Sequence, residues 1–598
     1  MTKFNSLEEF NNYQQELIKE NKKFITSNTI INIGMATCGI SSGADVVYEE
    51  FKSLTAGENI EIRKTGCLGK CYMEPIVEVK NKSNVKRYYN VTKEDVPTIL
   101  ESISIKHKEN YEFVGETRIA LENSGLINPE DINDYILHEG YSALSKVLFV
   151  MGRENTLEEI KNSGLRGRGG AGFPTGLKWE AVKNQDADIK YVICNADEGD
   201  PGAFMDRALL ESDPFRIIEA MTIAGYTVGA TSGIIYVRAE YPLAVKRLEL
   251  AIKQATDYGL LGDNILGSGF SFTIDINLGA GAFVCGEETA LLSSVEGGRG
   301  EPRVKPPFPA EAGLYNKPTN INNVETYANI PPIILKGADW FKTIGTESSK
   351  GTKVFALAGK INNIGLVEVP MGTTLRNIIY DIGGGIKDNK EFKAVQTGGP
   401  SGGCIPASFL DTAIDYESLT AAGSMMGSGG MIVMDEDDCM VDIAKFYLDF
   451  SLDESCGKCA PCRIGNVRLQ EILARITTGS GEEDDLDTLE SLGNIIKDTA
   501  LCGLGGSSPN PVLSTIKHFR DEYITHIKDK KCPAHKCRAL IKYFINPEVC
   551  IGCTKCANNC PVPCIEGEVK KNHKIREEKC IKCGRCYELC PVKAIGRE

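Results

Sequence analysis

A chain of 598 residues is several times the length of one domain, and its hydrophobic fraction of 42% and charged fraction of 25% are those of ordinary globular proteins. The 81 acidic against 67 basic residues give a formal charge of −14, which argues against nucleic acid as the main partner. The sequence offers neither a bilayer-length apolar run nor an apolar signal core, so a cytoplasmic protein is expected. Because cytoplasm is reducing, the 22 cysteines are interpreted as metal ligands and buried thiols rather than disulfides.

The N-terminal segment places cysteines after predicted strands. A polar helix is followed by an apolar strand at residues 29–34 and then by Cys38, and Cys67 and Cys71 form a C-x₃-C motif after a second strand. This arrangement resembles the thioredoxin-like [2Fe–2S] domains of flavoprotein dehydrogenases, which carry four cysteines, the first two as C-x₄-C.

The second cysteine of that motif is missing, because Gly43 stands at its position. Three alternatives stay open. Ser41 or Ser42 supplies an oxygen ligand, another residue completes the site, or the domain has lost its cluster and is merely structural.

A glycine-rich loop begins at Gly164, after a predicted helical connection, and holds five glycines up to Gly172. Without Cβ atoms the glycines allow positive φ and leave backbone N–H groups free to approach a flat or phosphorylated ligand. Arg168 and Lys178 add cationic donors, which favours a phosphate-bearing cofactor.

Strands and helices alternate after this loop. The pattern predicts strands at residues 190–194 and 233–238 and helices at residues 217–230 and 242–254. This alternation is typical of an α/β layered domain, in which ligands bind at the carboxyl ends of the strands.

Five sequence blocks, in family order, resemble the FMN- and NADH-binding subunit of NADH dehydrogenases. That family includes the flavin subunit of respiratory complex I and the beta subunits of soluble NAD-linked hydrogenases and formate dehydrogenases. The blocks are residues 164–179, 194–202, 279–292, 305–309 and 322–326, and the match covers roughly residues 140–520. Five blocks together are far more specific than a lone glycine motif.

The resemblance implies which residues contact FMN and NAD(H). Loop glycines lie against the cofactors, basic residues offset phosphate charge, polar residues hydrogen-bond flavin and ribose, and aromatic residues stack on a flat ring. In that order, the implied contacts are Gly167, Gly169 and Gly170; Arg168 and Lys178; Asn195, Asp197, Glu198, Asp200, Glu287, Glu288, Asn322, Asn323 and Thr326; and Phe173 and Phe308. No side-chain acid or base need act on the hydride, which moves at FMN.

The fold class expected from these patterns and resemblances is an α/β multidomain protein. Its predicted parts are a thioredoxin-like [2Fe–2S] domain at 1–108, a Rossmann-like FMN/NADH domain with an N-terminal helical connection at 109–345, a ubiquitin-like β-grasp domain at 346–435, a helical bundle with a [4Fe–4S] cluster at 436–530, and a linker with a two-cluster ferredoxin domain at 531–598.

Cysteine spacing predicts three [4Fe–4S] clusters. Three clustered thiols and one distant thiol suit the first, since one loop can wrap three irons while another segment caps the fourth. In the C-terminal segment, C-x₂-C-x₂-C-x₃-C-P occurs twice, thirty residues apart, and in such modules the fourth cysteine of each run ligates the other cluster. The predicted sets are Cys456, Cys459, Cys462 and Cys502; Cys550, Cys553, Cys556 and Cys590; and Cys580, Cys583, Cys586 and Cys560.

The remaining cysteines divide into two groups. Cys532, His535, Cys537 and Cys564 supply three thiols and an imidazole, which fit a tetrahedral zinc, although a lone histidine with spare thiols is the alternative. The other four are predicted to be small buried hydrophobic residues: Cys194, Cys285, Cys404 and Cys439.

The predicted function is hydride exchange between NAD(H) and FMN, with single electrons leaving through iron–sulfur clusters. The extra terminal domains resemble the beta subunit of multimeric iron-only hydrogenases, including the electron-bifurcating type. This implies a hydrogenase-type catalytic subunit, a small thioredoxin-like [2Fe–2S] subunit and ferredoxin as partners. The alternatives are the diaphorase subunit of an NAD(P)-linked formate dehydrogenase and a non-catalytic iron–sulfur relay.

Overall fold

The computed structural model describes residues 3–56, 59–81, 84–104 and 115–598, and it shows a mixed α/β protein. The chain forms two compact units. The first comprises Met1–Asn389, Gln396–Gly399 and Ser408–Val433, and the second comprises Lys390–Val395, Pro400–Ala407 and Met434–Glu598. Within the described ranges, none of the helices has the length and apolar character needed to span a membrane.

The first part of unit one is a four-stranded sheet with strand order β2-β1-β3-β4, in which only the β1–β2 pair is parallel. Val47 and Phe51 of α3 pack in one core with Ile31 and Ile33 of β1. The elements are α1 (Leu7–Ser27), β1 (Thr29–Gly34), α2 (Thr37–Ser41), α3 (Ala44–Leu54), β2 (Ile60–Thr65), β3 (Val77–Asn81), β4 (Asn84–Tyr88) and α4 (Val96–Glu101).

A four-stranded parallel sheet with strand order β7-β6-β5-β8 forms the centre of unit one. The order reverses between β5 and β8, and in open α/β sheets such a switch point opens a ligand crevice at the carboxyl ends of the strands. The elements are α5 (Ile132–Leu137), α6 (Ser142–Lys146), α7 (Gly152–Ser163), α8 (Thr175–Lys183), β5 (Tyr191–Ala196), α9 (Met205–Ser212), α10 (Pro214–Val228), β6 (Ser232–Arg238), α11 (Pro242–Asp257), β7 (Thr273–Gly279), α12 (Glu288–Val295), α13 (Pro309–Ala312), β8 (Thr319–Asn323), α14 (Val324–Ala328), α15 (Ile330–Lys336) and α16 (Ala338–Lys342).

A run of strands follows this sheet along the chain. In unit one, β9 pairs with β10 antiparallel and with β13 parallel. The elements are β9 (Thr352–Gly359), β10 (Gly365–Pro370), β11 (Phe392–Thr397), β12 (Gly403–Pro406), α17 (Tyr416–Ala421) and β13 (Gly430–Asp435).

Unit two contains a helical core followed by two small antiparallel ribbons, β14 with β17 and β15 with β16. The apolar faces of α18, α19, α20 and α22 meet through Leu448, Leu473, Leu489 and Ile516. The elements are α18 (Met440–Asp453), α19 (Asn466–Thr478), α20 (Asp485–Thr499), α21 (Gly503–Ser507), α22 (Asn510–Ile524), β14 (Tyr543–Ile545), α23 (Lys555–Asn558), β15 (Ile565–Glu566), β16 (Lys574–Ile575), α24 (Arg585–Leu589) and β17 (Ile595–Arg597).

Candidate functional site

The glycine loop lies beside the end of β8. A Cβ added at Gly169 would stand 3.0 Å from Cβ of Asn323, and one added at Gly170 would stand 3.3 Å from Cα of Gly427. Gly170 also has φ 132°, which L side chains rarely adopt. Glycine therefore lets the loop pack closely against Asn323 and Gly427.

Arg168 has a structural position rather than an exposed one. Its side chain is fully buried, and its guanidinium donates to the carbonyls of Thr352 at 2.9 Å, Arg166 at 2.8 Å and Lys350 at 2.6 Å. Because these carbonyls use the guanidinium's donors, Arg168 holds the loop in place. The contact of Arg168 with a phosphate stays a prediction, and Gly167 beside it joins the loop through its N–H bond to Phe173 O at 2.9 Å.

The polar residues after β8 organise the crevice wall. Asn322 accepts the indole N–H of Trp179 at 2.9 Å, and Asn323 donates to Asp206 Oδ2 at 2.6 Å. Thr326 Oγ1 accepts the backbone N–H of Arg168 at 2.9 Å. The predicted cofactor residues on this strand thus fix the glycine loop and neighbouring helices.

A cluster of two lysines and two glutamates follows β7. Lys305 Nζ lies 2.8 Å from Glu287 Oε1 and 2.7 Å from Glu288 Oε1. Lys178 Nζ lies 3.4 Å from Glu288 Oε2. Burial raises the pKa of Glu288, but the charges of Lys178 and Lys305 outweigh it and hold the pKa below its usual range. Sequence reasoning missed Lys305 as a site residue, although it belongs to the 305–309 block.

Acidic residues follow β5 at the same sheet edge. Asn195 donates to Gly286 O at 2.9 Å, and Asp197 is 1% exposed. Glu198 accepts the backbone N–H groups of Asp206 at 2.8 Å and Arg207 at 3.0 Å, so its carboxylate caps α9.

Burial is the main cause of the shifted pKa values of Glu198 and Asp200 in this loop. It raises the pKa of Glu198 to about 7 and that of Asp200 to about 6. The Ser428 hydroxyl donates to Asp200 and opposes the shift there. Both carboxyls therefore titrate near neutral pH.

The raised pKa of Glu198 predicts a pH-dependent stability. Because the folded state keeps this proton above the ordinary pKa of about 4.5, the contribution of Glu198 to the free energy of unfolding falls as the pH rises from there to about 7. We expect the thermal midpoint of Glu198→Gln, measured by calorimetry, to rise relative to that of the native chain as the pH increases over this range. A difference that stays constant with pH would contradict the assignment.

The two aromatic residues in the predicted cofactor set expose their rings to solvent. Phe173 is 54% exposed and Phe308 is 53% exposed. Large exposed rings of this kind are available to stack on a flat ligand.

The first predicted [4Fe–4S] set lies in the helical part of unit two. Burial and the charges of Cys459 and Cys456 raise the pKa of Cys462. A Cβ added at Gly505, in the turn that begins with Cys502, would stand 3.6 Å from Cys462 Sγ. The structure therefore brings the Cys502 turn to the three-cysteine loop.

The two C-terminal sets line separate cavities. One cavity is lined by Cys550, Cys553, Cys556 and Cys590, and the other by Cys560, Cys564, Cys580, Cys583 and Cys586. Among the cysteines of the repeated motif, each cavity takes three from one run and the fourth from the other run. This is the crossed grouping that the repeated motif predicts.

A group of one imidazole and three thiols lies elsewhere in unit two, with all four residues buried. His526 Nε2 is 3.4 Å from Cys439 Sγ and 3.4 Å from Cys537 Sγ, and Cys439 Sγ is 3.8 Å from Cys537 Sγ. Hydrogen bonds from the Cys439 and Cys537 thiols hold the pKa of Cys532 below its usual range. His526 Nδ1 contacts Glu522 O at 2.7 Å, which leaves Nε2 for the thiols.

This group corrects the predicted zinc set. Cys532 and Cys537 are retained, but Cys439 and His526 take the places expected for Cys564 and His535. Cys564 instead lies with its Sγ 3.4 Å from Cys560 Sγ. Cys194, Cys285, Cys404 and Cys439 are all buried as expected, but Cys439 also lies in this group of potential metal ligands. Spacing alone did not reveal this set because Cys439 lies 87 residues before His526, while the other three members lie within residues 526–537.

The N-terminal thiols also converge. The Sγ atoms of Cys38, Cys67 and Cys71 all lie within 4.8 Å of one another. Hydrogen bonds from Cys67 and Cys71 lower the pKa of Cys38 to about 3, so one thiolate is favoured in the group. Ser41 and Ser42 are both exposed.

Three parts of the chain match known families. Residues 160–332 match the Nuo51 FMN-binding domain, residues 442–526 match the NADH-ubiquinone oxidoreductase-F iron–sulfur binding region, and residues 543–596 match the 4Fe-4S dicluster domain. The glycine loop and all three predicted [4Fe–4S] cysteine sets fall within these matches.

Several relatives resemble most of the chain. The HndC subunit of the NADP-reducing hydrogenase of Solidesulfovibrio fructosivorans is 64% identical over 77% of this chain and 93% of its own length. The second F-type NADH-quinone oxidoreductase subunit of Rhizobium meliloti is 46% identical over 70% of this chain and 99% of its own length. Among solved structures, an NAD⁺-reducing [NiFe]-hydrogenase in the H₂-reduced state is similar with a TM-score of 0.62 and 28% identity, covering 86% of this chain and 87% of that chain.

Proposed function

The chain belongs to the family of the F-type subunits of NADH-quinone oxidoreductases, and we propose that it exchanges hydride with a nicotinamide dinucleotide at FMN and passes single electrons to iron–sulfur clusters. FMN supplies the conversion between two-electron hydride transfer and one-electron transfer. The observation that carries this proposal is the glycine loop that lies against the end of β8, at the switch point of the parallel sheet.

The residues of the crevice suit a phosphorylated, flat cofactor. Gly169 and Gly170 leave backbone space that Cβ atoms would fill. Lys178 and Lys305 supply the cationic donors for phosphate, and Glu287 and Glu288 orient these lysines or accept from ribose hydroxyls. The remaining implied contacts are Asn195, Asp197, Glu198, Asp200, Phe173, Phe308, Asn322, Asn323 and Thr326.

The domain organisation follows the same proposal. We assign residues 1–108 to a thioredoxin-like domain, 109–345 to the FMN and dinucleotide domain, 346–435 to a β-grasp domain, 436–530 to a cluster-bearing bundle, and 531–598 to a linker with a ferredoxin domain. The cofactors are FMN, three [4Fe–4S] clusters, one [2Fe–2S] cluster and one zinc ion. The two crossed cysteine cavities support the ferredoxin assignment, and a cytoplasmic location stays a prediction from the sequence.

The partner subunits are proposed from similarity. Because HndC is named as part of an NADP-reducing hydrogenase, we assign this chain to a hydrogenase-type complex with a catalytic subunit and a small [2Fe–2S] subunit. Ferredoxin as a further partner and electron bifurcation belong to the same proposal. A formate dehydrogenase diaphorase has the same flavin chemistry and differs in its partner.

Acid release and quantitation of FMN from the isolated chain, followed by reduction with NADH and with NADPH, tests the proposal. Stoichiometric FMN and rapid reduction by one dinucleotide are expected. A chain that holds clusters but no FMN would favour the non-catalytic relay.

The zinc site is proposed at Cys439, His526, Cys532 and Cys537. Three thiolates and one imidazole form a donor set that tetrahedral zinc accepts, and the four residues are buried as structural sites are. His526 is held by Glu522 O through its other ring nitrogen, the usual way in which a ligating histidine is oriented.

Removing His526 should release this zinc. We expect His526→Ala to lose one zinc per chain by elemental analysis and to lower the thermal midpoint of unit two, because a structural metal contributes folding free energy. His535→Ala is the matched control and should retain the zinc. The opposite pattern, with zinc lost only from His535→Ala, would restore the set predicted from spacing.

A further inference from the structure

The N-terminal thiols are one ligand short of a complete [2Fe–2S] site. Such a cluster takes four protein ligands, and Cys38, Cys67 and Cys71 supply three. At Gly43 the backbone has φ 97°, and no side chain is present there to donate. We propose that the Glu74 carboxylate is the fourth ligand, an inference that rests on the proposed cluster in this domain.

Two of the distances fit donor pairs on single irons, although the Sγ atoms of Cys38, Cys67 and Cys71 all lie within 4.8 Å of one another. Cys67 Sγ and Cys71 Sγ are 3.8 Å apart, and Glu74 Oε1 is 3.9 Å from Cys38 Sγ. Two donor atoms on one tetrahedral metal, with bonds of about 2.3 Å to sulfur and about 2.0 Å to oxygen, are separated by roughly 3.5 to 3.8 Å. A two-iron cluster needs one such pair at each iron, and the chain supplies two.

The carboxylate of Glu74 is held in place and has room only because its neighbours are glycines. Glu74 is 6% exposed, and its Oε2 accepts the backbone N–H of Ile76 at 2.8 Å. A Cβ at Gly34 would stand 3.1 Å from Oε2, and a Cβ at Gly39 would stand 3.3 Å from it. The second oxygen, Oε1, is the one that lies near Cys38.

Among the residues that the structure describes, no lysine or arginine forms an ion pair with Glu74, whereas Glu78 pairs with two cations. Glu78 is equally buried, but Lys80 lies 2.8 Å from it and Arg87 lies 2.6 Å from it. Burying a carboxylate without a cation is costly, and a bound metal would offset that cost.

The serine alternative fits less well. Ser41 and Ser42 are exposed at the end of α2, whereas Glu74 is buried beside Cys38. This difference makes the two serines suitable controls, because their replacement by alanine leaves the thiol group untouched.

The test uses the full chain, reduced with dithionite, and reads the electron paramagnetic resonance signal of the [2Fe–2S] cluster at a temperature where [4Fe–4S] signals are broadened. Iron and acid-labile sulfide are quantified in parallel. We expect Glu74→Ala to lose the signal and about two irons per chain. Glu74→Cys should keep the iron and shift the g values, because a thiolate replaces a carboxylate. The Ser41→Ala and Ser42→Ala variants should match the native chain.

Two results would overturn the assignment of Glu74. One is a Glu74→Ala variant with native g values and native iron content. The other, which applies even if the alanine variant does not fold, is a Glu74→Cys variant whose g values are unchanged. A native chain that lacks the [2Fe–2S] signal, or holds zinc at this site, while its FMN and [4Fe–4S] clusters are present, would overturn the N-terminal cluster and leave the flavin proposal intact.

Discussion

Replacing Lys353 by methionine is expected to destabilise unit one by about 3–5 kcal/mol, because it leaves a buried carboxylate without its partner. Lys353 and Glu325 are 0% and 1% exposed and form an ion pair. Glu325 also accepts the backbone N–H of Val354 at 2.8 Å. Differential scanning calorimetry would show the loss as a lower thermal midpoint. Burial already raises the pKa of Glu325 against the opposing charge of Lys353, so the loss should shrink at acidic pH, where Glu325 is protonated.

Two variants control this prediction. Lys253 pairs with Asp257 at 2.5 Å, but the side chains are 72% and 38% exposed, so Lys253→Met should cost little. Adding Glu325→Leu to Lys353→Met should recover part of the stability, because no unpaired charge remains. A Lys353→Met chain that melts like the native protein would contradict the importance of the buried pair.

Replacing Cys502 by alanine is expected to abolish electron transfer beyond the flavin. Cys502 is the distant member of the Cys456, Cys459 and Cys462 set, and a [4Fe–4S] cluster requires all four thiolates. We propose this cluster as the first acceptor of electrons from the flavin, so NADH should still bleach the flavin absorbance while the remaining clusters stay oxidised. Iron analysis and low-temperature paramagnetic resonance would measure the missing cluster.

Cys404→Ala is the matched control for Cys502→Ala. Cys404 is 1% exposed and burial raises its pKa, as expected for an inert core thiol. Its loss should leave the cluster signals and electron transfer unchanged. If the Cys404 variant loses a cluster, or the Cys502 variant keeps all of them, the ligand set is wrong.

Local patterns predicted much of the fold. The expected helix at 217–230 is observed as Pro214–Val228, where Pro214 begins the helix and Gly229 ends it with φ 81°. The expected helix at 242–254 extends to Asp257. Alternating strands and helices implied a parallel sheet, and four parallel strands form it. Strand order, however, depends on tertiary packing and could not be taken from periodicity.

Short repeated spacing predicted groups of cysteines that the structure brings together, whereas the groups formed by tertiary packing were not predicted. The crossed cysteine sets are brought together because the repeat encodes their grouping. The zinc set was wrong in two members, since Cys439 and His526 are 87 residues apart in sequence. Arg168 has the charge of a phosphate ligand, but burial against backbone carbonyls assigns it to the loop itself. Glu74 was not foreseen because nothing in its spacing distinguishes a ligand from a strand-edge carboxylate.

The central claim is that hydride enters at a flavin in the crevice and leaves as single electrons through clusters. Anaerobic titration of the isolated chain with NADH, or with NADPH, while flavin and cluster absorbance are followed together, tests it most directly. We expect bleaching of both chromophores by one of the dinucleotides, with FMN present at one per chain. Clusters that dithionite reduces but neither dinucleotide affects, in a chain without flavin, would contradict it.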